Sequence, residues 1–200
     1  DLSMLTLQFD QNALKDKNRF ELLITDENEL SGLPESARDA AAMLAKSKDK
    51  NGWLFNLSAP SYIPFMRYSD KRDLREKMYR EYMSVGNKGD EFDNKDIIKK
   101  IVNIRLEIAQ LMGFKNYAEY ALEHTMAKNS ANVYKLLNQL LEAYKPIAIN
   151  EYNAVEGFAL GTEKENITVM PWDWSYYSEK LRDIRFKVND EMTRPYFELS

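Results

Sequence analysis

The longest periodic stretch in the chain constrains its fold more than any other feature. Between Ser130 and Gly161, apolar side chains at Val133, Leu137, Leu140, Tyr144, Tyr152 and Val155 return to one side at helical spacing. Unbroken, such a helix runs about 45 Å at 1.5 Å per residue. Pro146 is expected to kink it, because its ring removes the bond to the Glu142 carbonyl and crowds that oxygen. A chain holding an element of this length has to be assembled around helices.

The rest of the sequence agrees. Leu2, Leu5 and Phe9 predict a helix over residues 2–18, and Pro34 suits the first turn of an alanine-rich helix carrying Ala37, Ala41 and Leu44. In Asp70 to Val85, Leu74, Met78 and Tyr82 form a stripe, while Asp73 with Lys77 and Glu76 with Arg80 sit four apart, acid first. After Gly86-Asn87-Lys88-Gly89 come Ile97, Ile101, Ile104, Ile108 and Leu111, with Ile98, Val102, Ala109 and Met112 as an adjacent stripe. So wide an apolar face predicts a helix sandwiched between neighbours, stopped by Gly113. Asn116 followed by Glu119 has the spacing of a capping box and opens a short helix to about Met126. Asp173 is expected to cap a helix over Trp174 to Arg185, and Asn189 a short one.

Two short runs alternate instead. Residues 20–25 (Phe20 to Thr25) and 53–57 (Trp53 to Leu57) read as strands, and two strands need helices behind them to persist in water. The predicted fold class is therefore mostly α, a bundle-like array of helices with one small two-stranded β element. No repeat, low-complexity tract or linker breaks it, so residues 1–200 read as a single segment.

Of the 200 residues, 44% are apolar and 30% charged, as in a folded domain. The net charge of −4 and the lack of any basic block argue against a nucleic-acid partner. The longest apolar run, Ala40 to Ala45, is too short to cross a bilayer. With no cysteine there is no disulfide or thiolate chemistry. A cytoplasmic location is the expectation, although cysteine usage does not separate it from a periplasmic one. The chain opens on Asp1-Leu2-Ser3 already inside an amphipathic pattern, which predicts that sequence precedes it.

Catalytic motifs are sparse. His124 is the sole histidine, so neither a two-histidine nor a thiolate zinc site can be assembled, and in a helix rich in Ala, Leu and Tyr it reads as a packing or capping residue. No G-x-S-x-G elbow is present to expose a serine. Asp26 with Glu29, and Glu91 with Asp93, are carboxylate pairs of a common kind. Leu30 and Ser31 occupy positions where a calcium loop needs a ligand and a glycine, so a solvated turn is the expectation there. Gly86 to Gly89 has the form of an RNA-clamping G-x-x-G loop but lacks a basic surface, and reads as an interhelical turn. Trp172 and Tyr176, four apart in the cluster from Pro171 to Tyr177, are expected to anchor a helix in the core rather than bind a ligand. Asn56-Leu57-Ser58 and Asn166-Ile167-Thr168 match the glycosylation pattern, which is too short to carry weight. Catalytic, cofactor-binding and metal residues are accordingly predicted as none.

Several stretches nonetheless resemble, in order, the thimet oligopeptidase family of zinc metallopeptidases, with its oligopeptidase A and peptidyl-dipeptidase branches. They are Leu5 to Phe9 with Gln11-Asn12, Leu30 to Ser36, Ala59 to Met66 with Leu74 to Lys77, Leu111 to Tyr120, Pro171 to Lys180, and Arg194-Pro195-Tyr196-Phe197. The resemblance implies a helix-rich peptidase that hydrolyses short peptides in a deep channel, with zinc on a His-Glu-x-x-His helix and a further glutamate. It places that helix downstream of Arg194 to Phe197, outside this sequence, so no catalytic or metal residue carries over. The expected role is a scaffold, and in part a channel lining, within a longer zinc enzyme. The wording of the stretches leans to the peptidyl-dipeptidase branch. The expected partners are the remaining part of the parent polypeptide and short peptide substrates, and the 200-residue chain is expected to be inactive alone. The alternative is a freestanding helical module that binds peptides or proteins through its tyrosines.

Overall fold

A computed structural model describes residues 1–163, 167–187 and 192. Eight helices are found among them: α1 (Leu2–Arg19), α2 (Glu35–Ser47), α3 (Ala59–Tyr68), α4 (Arg72–Met83), α5 (Lys95–Leu111), α6 (Tyr117–Leu122), α7 (Ser130–Thr162) and α8 (Pro171–Phe186). Strands β1 (Leu22–Ile24) and β2 (Trp53–Phe55) pair antiparallel, with Leu22 opposite Phe55 and Ile24 opposite Trp53. The fold class is thus mostly α with one small β element. Asn166, Asn189 and the stretch Arg194 to Phe197 lie outside the described residues. No described helix is long and apolar enough to cross a membrane.

Internal contacts gather the chain into two compact units, one made of Asp1–Arg19 with Ser84–Glu151 and the other of Phe20–Met83 with Tyr152–Ser200.

In the second unit the strand pair is largely buried: Leu22, Ile24, Leu54, Phe55 and Leu57 are inside, while Leu23 is 40% exposed. Small residues of α2, Ala41 and Ala45, allow the helix to approach the strands closely. Phe55 meets Phe65 of α3 edge-on at 4.8 Å between ring centroids. Each of these aromatic and aliphatic side chains contributes about 1.5–3 kcal/mol by leaving water. Helix α3 breaks the expected pattern, because Pro60 and Pro64 both fall within it. Pro60 sits in the first turn, where its missing N–H costs nothing, and burial of Phe65 and Met66 outweighs the hydrogen bond lost at Pro64.

Two helix starts differ from expectation. Pro34 is the N-cap of α2, one position before the first turn expected for it. Helix α8 begins at Pro171, and Asp173 lies in its first turn, where the carboxylate accepts from the Met170 backbone N–H at 3.1 Å. It therefore caps from inside the helix, as the acid of a capping box does.

In the first unit α1 and α5 pack together, burying Ile97, Ile101 and Ala109. The expected sandwich is not found: Ile98, Val102, Leu111 and Met112 are exposed, so only a band through Ile97, Ile101 and Ala109, drawn from both stripes, is covered and the rest of the face is open. The polar seam carries the specificity. Asp16, buried completely, accepts from the Gly86 N–H at 2.7 Å, from Arg19 at 2.7 Å and from Lys88 at 3.2 Å. Asn94 is fixed by the Phe9 carbonyl at 3.0 Å and by Asn12 at 3.1 Å. The glycine loop is therefore an interhelical turn clasped around an aspartate.

Candidate functional site

The richest concentration of polar chemistry lies in the second unit, where α4 and the start of α8 meet. Asp173 is fully buried, and its oxygens accept from Arg75 Nη2 at 2.8 Å and Arg72 Nη2 at 2.7 Å. Arg75, itself 1% exposed, also donates to the Ser69 and Trp172 carbonyls at 2.7 and 3.3 Å. Its guanidinium carbon lies 3.9 Å from the Tyr176 ring centroid, a stacking geometry that suits a weakly hydrated planar cation. Burial pushes the Asp173 pKa up, but hydrogen bonds from Arg72, the Met170 amide and Arg75 outweigh it and leave the carboxyl below its ordinary value.

A second carboxylate, Asp70, lies in the link between α3 and α4. Asp70 accepts from Ser31 at 2.6 Å, from the Tyr176 hydroxyl at 2.7 Å and from Lys180 at 3.3 Å. Burial raises its pKa, and these three partners lower it by more. Tyr176 is pushed upward, first by burial and then by its bond to Asp70, so the phenol keeps its proton. Gly32 makes the Ser31 approach possible: with φ +83° it lies in the left-handed region, and a β-carbon there would stand 2.1 Å from the Tyr68 carbonyl oxygen.

Over this network opens a cleft of about 670 Å³ between α2, α3 and α8, within the range of ligand-binding cavities. Pro34, Ala37, Ala40, Pro60 and Pro64 form a small-residue floor, while Arg67, Asp70, Glu179 and Lys180 supply charges around it. Glu179 is nearly buried and accepts from the Tyr68 hydroxyl at 3.2 Å. The arrangement can hold an extended polar backbone with modest apolar side chains.

The candidates singled out by sequence fall elsewhere. His124 lies beyond the end of α6 with its side chain 91% exposed, 3.5 Å from Glu123. It neither packs nor caps, because the six-residue α6 buries nothing and ends at Leu122, short of Met126. Asp26 caps a 3-10 turn by accepting from the Asn28 N–H at 2.9 Å, as a solvated turn would. Asp93 is held down at about 2 by Lys95, whose ammonium and amide both donate to it, and by the Gly89 amide. Asn56 uses its side-chain oxygen on Ser58, 3.0 Å from the amide. Trp172 and Tyr176 are both buried, in agreement with a core role.

Zinc requires three or four donors drawn from His, Cys, Asp and Glu. The chain has one histidine and no cysteine, and no grouping of three such donors occurs among the described residues. These residues do not fit a zinc site, and no catalytic step is assigned to them.

The sequence model of Peptidase family M3 matches residues 65–200. Among curated proteins, the chain is 41% identical over 202 residues to oligopeptidase A of Haemophilus influenzae, covering 98% of this chain and 29% of that protein. Oligopeptidase A of Escherichia coli is 38% identical over 203 residues, with 98% and 29% covered. Dipeptidyl carboxypeptidase of Escherichia coli is 28% identical over 201 residues, covering 100% of this chain and 29% of the relative. The chain therefore spans less than a third of the length of these relatives. With the family model matching well over half of its residues, the chain belongs to peptidase family M3.

Proposed function

We propose that this chain is a scaffold segment of a longer zinc-dependent peptidase that hydrolyses short peptides, and that its α2–α3–α8 cleft lines part of the substrate path. The observation that carries the reading is the alignment of essentially the whole chain with 29% of the oligopeptidase relatives. In that parent the zinc ligands and the catalytic glutamate come from other parts of the polypeptide, because the His-Glu-x-x-His helix that the resemblance implies needs two histidines and this chain has one. When bound, the metal would polarise the scissile carbonyl and acidify a water. This chain's own residues would hold the peptide backbone and exclude water beside it. Identities of 38–41% with oligopeptidase A against 27–28% with dipeptidyl carboxypeptidase support the oligopeptidase branch over the peptidyl-dipeptidase branch to which the wording of the stretches leans.

A freestanding binding module is the weaker reading. Such a module needs a closed surface, whereas every residue from Tyr134 to Asn153 is exposed. Assaying the full-length protein and the 200-residue chain on a fluorogenic peptide, with and without chelator, decides between them. Cleavage is expected from the full-length protein alone and is expected to be abolished by chelator. Metal-dependent turnover by the short chain, or none by the long one, would refute the proposal.

A further inference from the structure

The middle of α7 is chemically at odds with its surroundings. From Tyr134 to Asn153 every residue is exposed, yet Leu136, Leu137, Leu140, Leu141 and Ile147 lie within this stretch, each 41% exposed or more. Projected at about 100° per residue, most of the apolar side chains between Leu136 and Ala148 form two adjacent stripes. One carries Leu136, Leu140, Ala143 and Ile147; the other carries Leu137, Leu141, Tyr144 and Ala148. Together they cover roughly half of the circumference, whereas a helix lying on a single neighbour needs an apolar stripe of about 100°. The opposite arc holds Lys135, Asn138, Gln139, Glu142 and Lys145, with Pro146 and the 49% exposed Ile149 among them. A helix of this pattern is built to be covered on two adjacent sides and to keep its remaining arc in water. Left open, so large an apolar patch marks an interface.

We infer that the two-stripe face of α7 is an internal docking surface for the remaining part of the parent polypeptide, which lays one element over each stripe. The inference rests on the reading above that the parent is a longer peptidase. Two observations select this occupant. Relatives aligned over the whole chain have more than two thirds of their length outside it, so a large covering body is at hand. Two adjacent stripes also require two neighbours, whereas a symmetric pairing of α7 with a second copy lays one helix on one stripe.

The test uses full-length protein in a background freed of other cysteines, with single substitutions Ala143→Cys and Ala148→Cys on the two stripes. Lys135→Cys and Glu142→Cys, on the polar arc of the same helix, serve as references. These replacements are small or at exposed positions, so folding is retained, and circular dichroism verifies it. In the native protein a maleimide reagent is expected to modify Ala143→Cys and Ala148→Cys at least about tenfold more slowly than the two references. In denaturant all four react alike. Equal native rates at all four positions overturn the inference. Protection that disappears on dilution, together with a halved mass by light scattering, assigns the face to a second copy and overturns it as well. The peptide assay on the same samples separates the two levels. Cleavage without protection refutes the docking surface alone, and protection without cleavage refutes the peptidase reading while retaining the surface.

Discussion

Arg75 of α4 and Asp173 of α8, 98 positions apart in the chain, meet at 2.8 Å with side chains only 1% and 0% exposed. Two charges taken this far from water hold only as a pair: removing one leaves the other unpaired in a medium of low polarity. The pair thus fixes how α4 lies on α8, and with it the wall of the cleft.

The consequence for mutation is asymmetric. Asp173→Ala leaves the buried Arg75 charge without an anion and takes one from the part-exposed Arg72, whereas Arg75→Ala leaves Asp173 its bonds from Arg72. Asp173→Ala is expected to cost about 3–5 kcal/mol, and Arg75→Ala less. Urea unfolding midpoints of the full-length variants measure both. Equal losses would show that Arg72 contributes nothing inside the network.

Acid should unfold the same region. Both Asp70 and Asp173 have carboxyls held below the ordinary value in the folded state. A depressed folded pKa gives stability that is complete above the unfolded value, near pH 4, and fades as pH falls through the folded one. Thermal midpoints should therefore hold level above about pH 5 and drop below about pH 4. The slope should flatten in Asp173→Asn.

Two glycines separate backbone strain from crowding. Gly32 and Gly89 both have positive φ, +83° and +72°, but a β-carbon at Gly32 meets the Tyr68 carbonyl oxygen at 2.1 Å while one at Gly89 meets nothing within 4 Å. Gly89→Ala should cost only the left-handed penalty of about 1 kcal/mol. Gly32→Ala should cost clearly more, because the Ser31–Asp70 contact must move. Chemical denaturation of the pair checks the order.

Filling the cleft tests its part in peptide binding. Ala40 lines it and is exposed, so Ala40→Trp should narrow the cavity without disturbing the core. In the full-length protein KM for a short peptide is expected to rise on the order of tenfold, about 1.4 kcal/mol, with the thermal midpoint unchanged. An unchanged KM removes the cleft from the substrate path.

Local spacing made much of this legible. The 3.6-residue recurrence placed α1, α4, α5 and α7, and alternation at Trp53, Phe55 and Leu57 placed β2, because those signals live within a few residues of each other. Local spacing does not mark helix α3, since Pro60 and Pro64 erase the signal, and only the burial of Met66 and of Phe65, edge-on to Phe55, restores it. His124, expected to pack or cap, lies beyond the end of the six-residue α6 and stays exposed.

By itself, the amino-acid order determined that the chain is helical and that its one imidazole and absent thiols leave a zinc ion without its usual donors. Tertiary structure alone decided that Arg75 joins Asp173, that Asp16 holds the Gly86 turn, and that α7 is left uncovered between Tyr134 and Asn153. The physical reason is range. Helical and strand periodicities repeat within a few residues, whereas the partner of a buried charge is whichever group the folded chain brings within about 3 Å, and nothing in the neighbouring sequence encodes that distance.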